Sequence, residues 1–89
     1  MENKWEPGML VKTVDAGFIA YYFSLGGLMS QTVTKGDRYD EKLWVNKKGI
    51  TFKVKKHAQR HLPAGDFIGV FFPNTRESLF IEKKYLIIL

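Results

Sequence analysis

The sequence predicts a single, mainly β domain in which five to seven short strands form a small barrel or a compact sandwich. Eight glycines and three prolines interrupt the 89-residue chain at short intervals. The segments between them are rich in Val, Ile, Phe, Tyr and Thr and often alternate between apolar and polar residues, the pattern of half-buried strands. Cysteine is absent and aromatic residues make up 15% of the chain, so apolar packing rather than disulfides must hold the fold.

The first half of the chain predicts one strand followed by a long hairpin. Residues 9–14 alternate as a strand that is entered through Pro7 and Gly8. Residues 18–23 and 30–34 are expected to form the two arms of the hairpin, with the glycine pair 26–27 at its tip. A further strand is expected at residues 42–46, with Leu43 and Val45 on one face.

The second half predicts another hairpin and the strands that complete the sheet. Gly49 is expected to supply a positive φ in the connection that leads into a strand at 50–56. Residues 56–62 fit a single helical turn or a loop that Pro63 ends. Further strands are expected at 66–72, 79–81 and 85–89, the last of them closing the barrel. The predicted core contains Ile50, Phe52, Val54, Ile68, Val70, Tyr85 and Ile87.

The order of these signals resembles that of SH3-like small barrels. The chain returns from its long hairpin through Thr34-Lys35-Gly36-Asp37, a motif similar to one at that point of the fold. The resemblance covers most of the chain and implies a tight turn before a short last strand. It does not extend to proline-rich ligands, because those need an acidic hairpin and residues 16–34 carry no charge.

The sequence offers no convincing catalytic or metal-binding set. His57 and His61 would share one helix face, as zinc ligands do, but no third ligand is evident and basic residues surround them. Asp37, Asp40 and Glu41 lie among cations and favour a solvated turn. We therefore expect a protein that is not an enzyme and needs no cofactor or metal. Without a targeting signal or an apolar stretch of membrane-spanning length, a cytoplasmic location is expected.

Positive charge is concentrated in one segment. The chain has 14 basic and nine acidic residues, and residues 42–65 contain seven of the basic residues and no acid. Such a surface suits phosphates or an acidic protein, although a merely solubilising strand face has the same pattern. Four of its lysines, at 47, 48, 53 and 55, are expected on one outer face. The predicted partner-binding basic stripe consists of Lys47, Lys48, Lys53, Lys55, Lys56 and Arg60.

The uncharged hairpin contains more large apolar side chains than a core this small can bury. An exposed apolar patch generally marks an interface, so we expect contact with a protein partner or, most simply, a second copy of the chain. The alternative is a hairpin that folds over one open end of the barrel. The predicted contact residues are Phe18, Tyr21, Tyr22, Leu25, Leu28 and Met29.

Two binding functions remain open. The first is an adaptor or inhibitor of a protein partner, a role typical of small chains that bacteriophages make to redirect host machinery. The second is a nucleic-acid-binding barrel that uses the basic stripe for phosphates. Nucleic-acid binding calls for aromatic residues among the lysines, and only Trp44 and Phe52 lie in that segment. Because the alternation places Phe52 inside, the sequence favours the protein partner.

Overall fold

A computed structural model describes residues 4–89 and confirms a mainly β fold. Two short α-helices, α1 (Arg38–Trp44) and α2 (Lys56–His61), interrupt the strands, and a 3-10 turn covers Lys83–Tyr85. Neither helix, nor any other in this part of the chain, is long and apolar enough to cross a membrane. The strands are β1 (Leu10–Thr13), β2 (Phe18–Ser24), β3 (Gly27–Val33), β4 (Lys48–Phe52), β5 (Phe67–Phe72), β6 (Glu77–Glu82) and β7 (Leu86–Ile88).

All seven strands belong to one antiparallel sheet in the order β3-β2-β6-β5-β4-β1-β7. The 3-10 turn before β7 stands where the resemblance predicted a tight turn. Within residues 4–89, β7 pairs with β1 alone, so it ends the sheet rather than closing it as the sequence predicted. At the opposite end, β2 pairs with β6 at Ala20 and Tyr21, and the end of β2 separates from the start of β6.

One face of the sheet forms the core together with the end of α1. Trp44 of α1 is 2% exposed, and its ring meets that of Phe72 edge to face at 5.3 Å between centroids. Of the predicted core, Val54, Ile68 and Val70 are buried and Tyr85 packs against the cluster. The buried cluster comprises Val11, Phe18, Ala20, Val33, Trp44, Val45, Ile68, Val70, Phe72, Leu79, Ile81 and Leu86.

The strand predicted at residues 42–46 is wrong, because residues 42–44 form the last turn of the capped helix α1. The carboxylate of Asp37 accepts hydrogen bonds from the backbone N–H groups of Tyr39 and Asp40, both at 3.0 Å, and so begins α1. Asp40 in turn accepts from the N–H of Thr34 at 2.9 Å. The acidic residues that looked like a solvated turn therefore fix the helix and its attachment to β3.

Only residues 50–52 of the strand predicted at 50–56 lie in β4, and there the predicted faces are reversed. Gly49 does not occupy the turn; Asn46 has the positive φ, at 55°, and Gly49 lies buried within β4. A Cβ on Gly49 would overlap the Val70 side chain and lie 2.9 Å from the carbonyl oxygen of Phe71. With Gly49 facing inward, Ile50 faces outward and is 41% exposed, and Phe52 shares its face. Ile87, also predicted in the core, is 44% exposed.

Two threonines, Thr13 of β1 and Thr51 of β4, are buried on the inner face of the sheet. The hydroxyl of Thr51 donates to the carbonyl oxygen of Glu6 at 2.6 Å and accepts from the N–H of Met9 at 2.9 Å. The hydroxyl of Thr13 donates to the carbonyl oxygen of Trp44 and accepts from the N–H of Lys47 at 2.9 Å. These bonds offset the cost of burying a hydroxyl, which is why a threonine can replace an aliphatic side chain there.

Candidate functional site: a basic aromatic groove

Two phenylalanines flank a glycine on the outer face of the sheet. Gly69 of β5 is paired with Phe52 on one neighbouring strand and with Phe80 on the other. A Cβ on Gly69 would overlap the Phe52 ring, so the absence of a side chain lets that ring lie across β5. The rings of Phe52 and Phe80 then meet edge to face, with centroids 5.9 Å apart. Aromatic side chains are thereby gathered at a place the sequence did not indicate.

A third ring and α2 turn this pair into a groove. Phe23, near the end of β2, is 39% exposed and meets Phe80 edge to face at 5.6 Å. Its ring also lies 6.1 Å from that of His61 on α2. Buried Ala58 anchors α2 against the sheet. The resulting groove has a volume of about 290 Å³ and is lined by Phe23, Phe52, Phe80, Ala58, Lys53, Lys55 and His57. We call it the basic aromatic groove.

The cations beside the groove form no ion pair within residues 4–89. Four ion pairs form within residues 4–89, and all of them use lysines outside the segment 53–60. That segment contains Lys53, Lys55, Lys56 and Arg60, all exposed. An uncompensated cluster of this kind produces a local positive potential that attracts anions.

A second, larger cleft opens on the other side of the three rings. Because β2 leaves β6 after Tyr21, the end of the hairpin diverges from the start of β6. The cleft between them measures about 560 Å³. Its wall includes the groove's three phenylalanines, now joined by polar side chains such as Gln31 and Glu77. The rings therefore separate a cationic groove from a more polar cleft.

The predicted basic stripe is divided between two ends of β4. Lys48 begins the strand and is paired with Lys12 of β1, and Lys47 precedes it. Lys53 and Lys55 follow the strand, on the segment that leads to α2. At about 3.3 Å per strand residue, Lys48 and Lys53 are separated by roughly 16 Å along the chain. Lys47 and Lys48 thus lie at the opposite end of β4 from the cluster near the groove, which consists of Lys53, Lys55, Lys56 and Arg60.

The predicted contact residues of the hairpin differ in their exposure. Leu25 is fully exposed at the tip, and Met29 is 44% exposed. Tyr21, Tyr22 and Leu28 are half-buried. Phe18 contradicts the prediction: it is 4% exposed and stacks on Tyr85 at 6.0 Å, so it belongs to the core and cannot contact a partner.

The two histidines of α2 lie together. His57 and His61 face each other on α2 with ring centroids 5.0 Å apart. Among residues 4–89, no group of three His, Cys, Asp or Glu side chains is placed to hold a metal ion. His57 lines the basic aromatic groove, and His61 contacts the groove's Phe23.

The sequence did not indicate Phe80 as a site residue, and it placed Phe52 in the core rather than on the outer face. It also missed an apolar row beside the groove, in which Ile50 is paired with Leu10 and Phe71. These three are between 37% and 47% exposed. The available signal was Gly69 inside an apolar strand, since glycine at such a position marks a close approach by another group.

A scan against protein-family models and searches of curated proteins and of solved structures find no match to this chain. The groove and the hairpin, through their geometry and charge, are therefore the features that indicate a function.

Proposed function

We propose that this chain is a non-enzymatic binding protein that holds single-stranded nucleic acid in the basic aromatic groove. The supporting observation is that Phe52, Phe80 and Phe23 lie beside a cationic segment with no ion pairs among residues 4–89. The sequence favoured a protein partner because it placed Phe52 in the core. The outward position of Phe52 removes that reason and supplies the aromatic residues among the lysines that nucleic-acid binding needs.

The two kinds of side chain have different tasks in this proposal. Lys53 and Lys55, with Lys56 and Arg60 beyond them, attract and position the phosphates, which supplies sequence-independent affinity. The phenyl rings offer surfaces against which bases stack, worth about 1–3 kcal/mol per base in proteins of this kind. Phe23 is the most exposed of the three rings and is the first candidate for such a contact.

A single strand fits this arrangement better than a duplex. The rings line a groove of about 290 Å³ and do not project from the surface, so a base must leave its own stack to reach them. Unpaired bases do so at little cost, whereas duplex bases must first be unpaired. We therefore expect tighter binding to a single-stranded oligonucleotide than to a duplex of the same sequence.

The first test changes charge near the groove and far from it by equal amounts. Fluorescence anisotropy with a labelled single-stranded oligonucleotide would compare wild type with Lys53→Glu/Lys55→Glu and with the matched control Lys12→Glu/Lys48→Glu. We expect the groove variant to lose about tenfold or more in affinity and the control to lose much less. Equal losses in the two variants would mean attraction to the overall charge and would contradict a site at the groove.

The second test separates stacking from charge. Phe23→Leu keeps an apolar side chain but removes the ring, and Phe71→Leu makes the same change at an exposed ring that does not line the groove. We expect weaker binding in the first variant alone. Wild-type binding should weaken linearly in log salt with a slope of about −3, the value for about four phosphate contacts on a single strand. No detectable binding at low salt would overturn the proposal.

A second candidate function remains, an adaptor or inhibitor that acts on a protein partner. It is favoured by the exposure of Leu25 and Met29 on an uncharged hairpin, a surface unlike a solubilising one. Capture from lysate after nuclease treatment would test it. A partner that survives nuclease, is lost with Leu25→Ser/Met29→Ser and is kept with Lys53→Glu/Lys55→Glu would support this function over nucleic-acid binding.

A further inference from the structure

The outer edge of β3 has no neighbouring strand within residues 4–89. β3 ends the sheet and pairs with β2 over its whole length, from Gly27 to Val33. A strand in this position presents a row of backbone N–H and C=O groups that can pair with another strand.

The pairing pattern identifies which groups are free. Ser24 and Gly27 flank a two-residue connection, so they form a hydrogen-bonded pair, and such pairs alternate along an antiparallel ladder. The backbone groups of Leu28, Ser30 and Thr32 consequently point away from β2. By the same alternation, the backbone groups of Thr34 also point away from β2. Its N–H donates a hydrogen bond to the carboxylate of Asp40 at 2.9 Å. Asp40 thus caps the edge at its end and leaves the middle open.

This edge lacks the features that normally prevent strand pairing. Residues 16–34 contain no charged residue and no proline. The register with β2 is continuous, so no bulge twists the edge away. The other end of the sheet differs, since β7 has three residues against seven in β3. Short edges, charges and bulges are the usual protections, and β3 has none of them.

We propose that β3 pairs with β3 of a second copy of this chain, antiparallel and about a two-fold axis at Ser30, to give one sheet that runs through a dimer. This register places Ser30 opposite Ser30 of the second copy and Leu28 opposite the copy's Thr32. Each of these is a hydrogen-bonded pair, so all the free groups of the open stretch are used. The proposal is independent of nucleic-acid binding, because it uses no residue that lines the basic aromatic groove.

Charge and side-chain contacts favour a second copy as the occupant. Each copy carries a net charge of +5, yet the paired strands are neutral and oppose no like charges. On the core-facing side, Met29 of one copy becomes the diagonal neighbour of Met29 of the other, about 7–8 Å away and within reach of long side chains. Met29 is 44% exposed in the single chain, so pairing removes apolar surface from water.

Sedimentation and one substituted edge residue test the assembly. Wild type should show a concentration-dependent dimer at micromolar concentration. Ser30→Lys places two like charges directly opposite each other at the two-fold axis and should give a monomer that remains folded. The matched control Ile87→Lys adds the same charge at an exposed position of β7 and should leave the dimer intact.

Amide hydrogen exchange identifies the edge itself. In the dimer, the N–H groups of Leu28, Ser30 and Thr32 should be protected, and their exchange should become fast on dilution or in Ser30→Lys. Those of Met29 and Gln31, which bond to β2, should stay protected throughout. A clean monomer at all micromolar concentrations would overturn the proposal. A dimer in which the three edge amides exchange rapidly would overturn it equally, because its interface would lie elsewhere.

Discussion

Glycine 69 controls the shape of the basic aromatic groove although it contributes no side chain to it. A methyl group at this position would overlap the Phe52 ring, which lies between neighbours on β5 and β6. We expect Gly69→Ala to displace that ring and to lower the free energy of unfolding by about 1–3 kcal/mol. The control is Gly26→Ala at the hairpin tip, where a Cβ meets nothing within 4 Å. Chemical denaturation of both variants measures the difference, and equal stabilities would contradict this packing.

The two isoleucines Ile50 and Ile81 test which face of the sheet is the core. Ile81 is fully buried, so Ile81→Ala should cost about 2–5 kcal/mol of unfolding free energy. Ile50 is 41% exposed, and Ile50→Ala should stay within about 0.5–1 kcal/mol of wild type. Urea unfolding of the pair gives the answer. A larger loss for Ile50→Ala would restore the arrangement that the sequence predicted.

At the scale of the element, α1 depends on one side chain at its start. Asp37 satisfies the N–H groups of Tyr39 and Asp40, which otherwise have no partner inside the helix. Asp37→Ala should therefore lower the free energy of unfolding by about 1 kcal/mol, whereas Asp37→Asn should retain most of the stability because it keeps the accepting oxygen. Thermal melts of the two variants make the comparison. A loss as large in Asp37→Asn would show that charge, not capping, is decisive.

Strands and helices were predictable where the hydrophobic periodicity agreed with the positions of glycine and proline. β1, the β2–β3 hairpin, α2, β5 and the turn before β7 lie within a few residues of their predicted places. β4 shows what period leaves undecided: alternation indicates a strand but does not say which set faces inward. In β4, Gly49 and the hydrogen-bonded Thr51 face the core, so Phe52 faces outward and lines the groove. α1 was missed because Leu43 and Val45 mimic strand alternation, although Asp37 is a residue type favoured at a helix start.

At the scale of the whole molecule, the positive charge concentrated in one segment of the sequence also forms one cluster in the structure. The cluster contains fewer residues than the sequence predicted. Lys53, Lys55, Lys56 and Arg60 remain together, while Lys47 and Lys48 separate from them because β4 ends at Phe52. A linear sequence displays charge density directly. The place where a strand ends and a helix begins depends on tertiary packing, so the aromatic part of the candidate site was hidden.

The same cluster should weaken the fold that bears it. Crowded cations repel one another in the native state, so Lys53→Glu/Lys55→Glu should raise the Tm at low salt. At about 1 M salt, where the screening length falls to about 3 Å, the gain should disappear. Lys83 provides the contrast, since it pairs with Asp66 at 3.1 Å and Lys83→Glu should lower the Tm. Calorimetry at the two salt concentrations checks both signs; a gain that persists at high salt would exclude repulsion as its cause.

The position of β1 between β4 and β7 has a consequence for folding kinetics. Leu10 meets Ile50, about 40 residues away, and Thr13 meets Leu86, more than 70 residues away. Closing such large loops lowers the chain entropy before the new contacts can stabilise the fold. Proteins dominated by distant pairings therefore typically fold in milliseconds to seconds. The β2–β3 and β5–β6 hairpins are local and can form first. We therefore expect β1 and β7 to join last, so that a substitution between them, such as Val11→Ala, accelerates unfolding in stopped-flow experiments and leaves the refolding rate nearly unchanged.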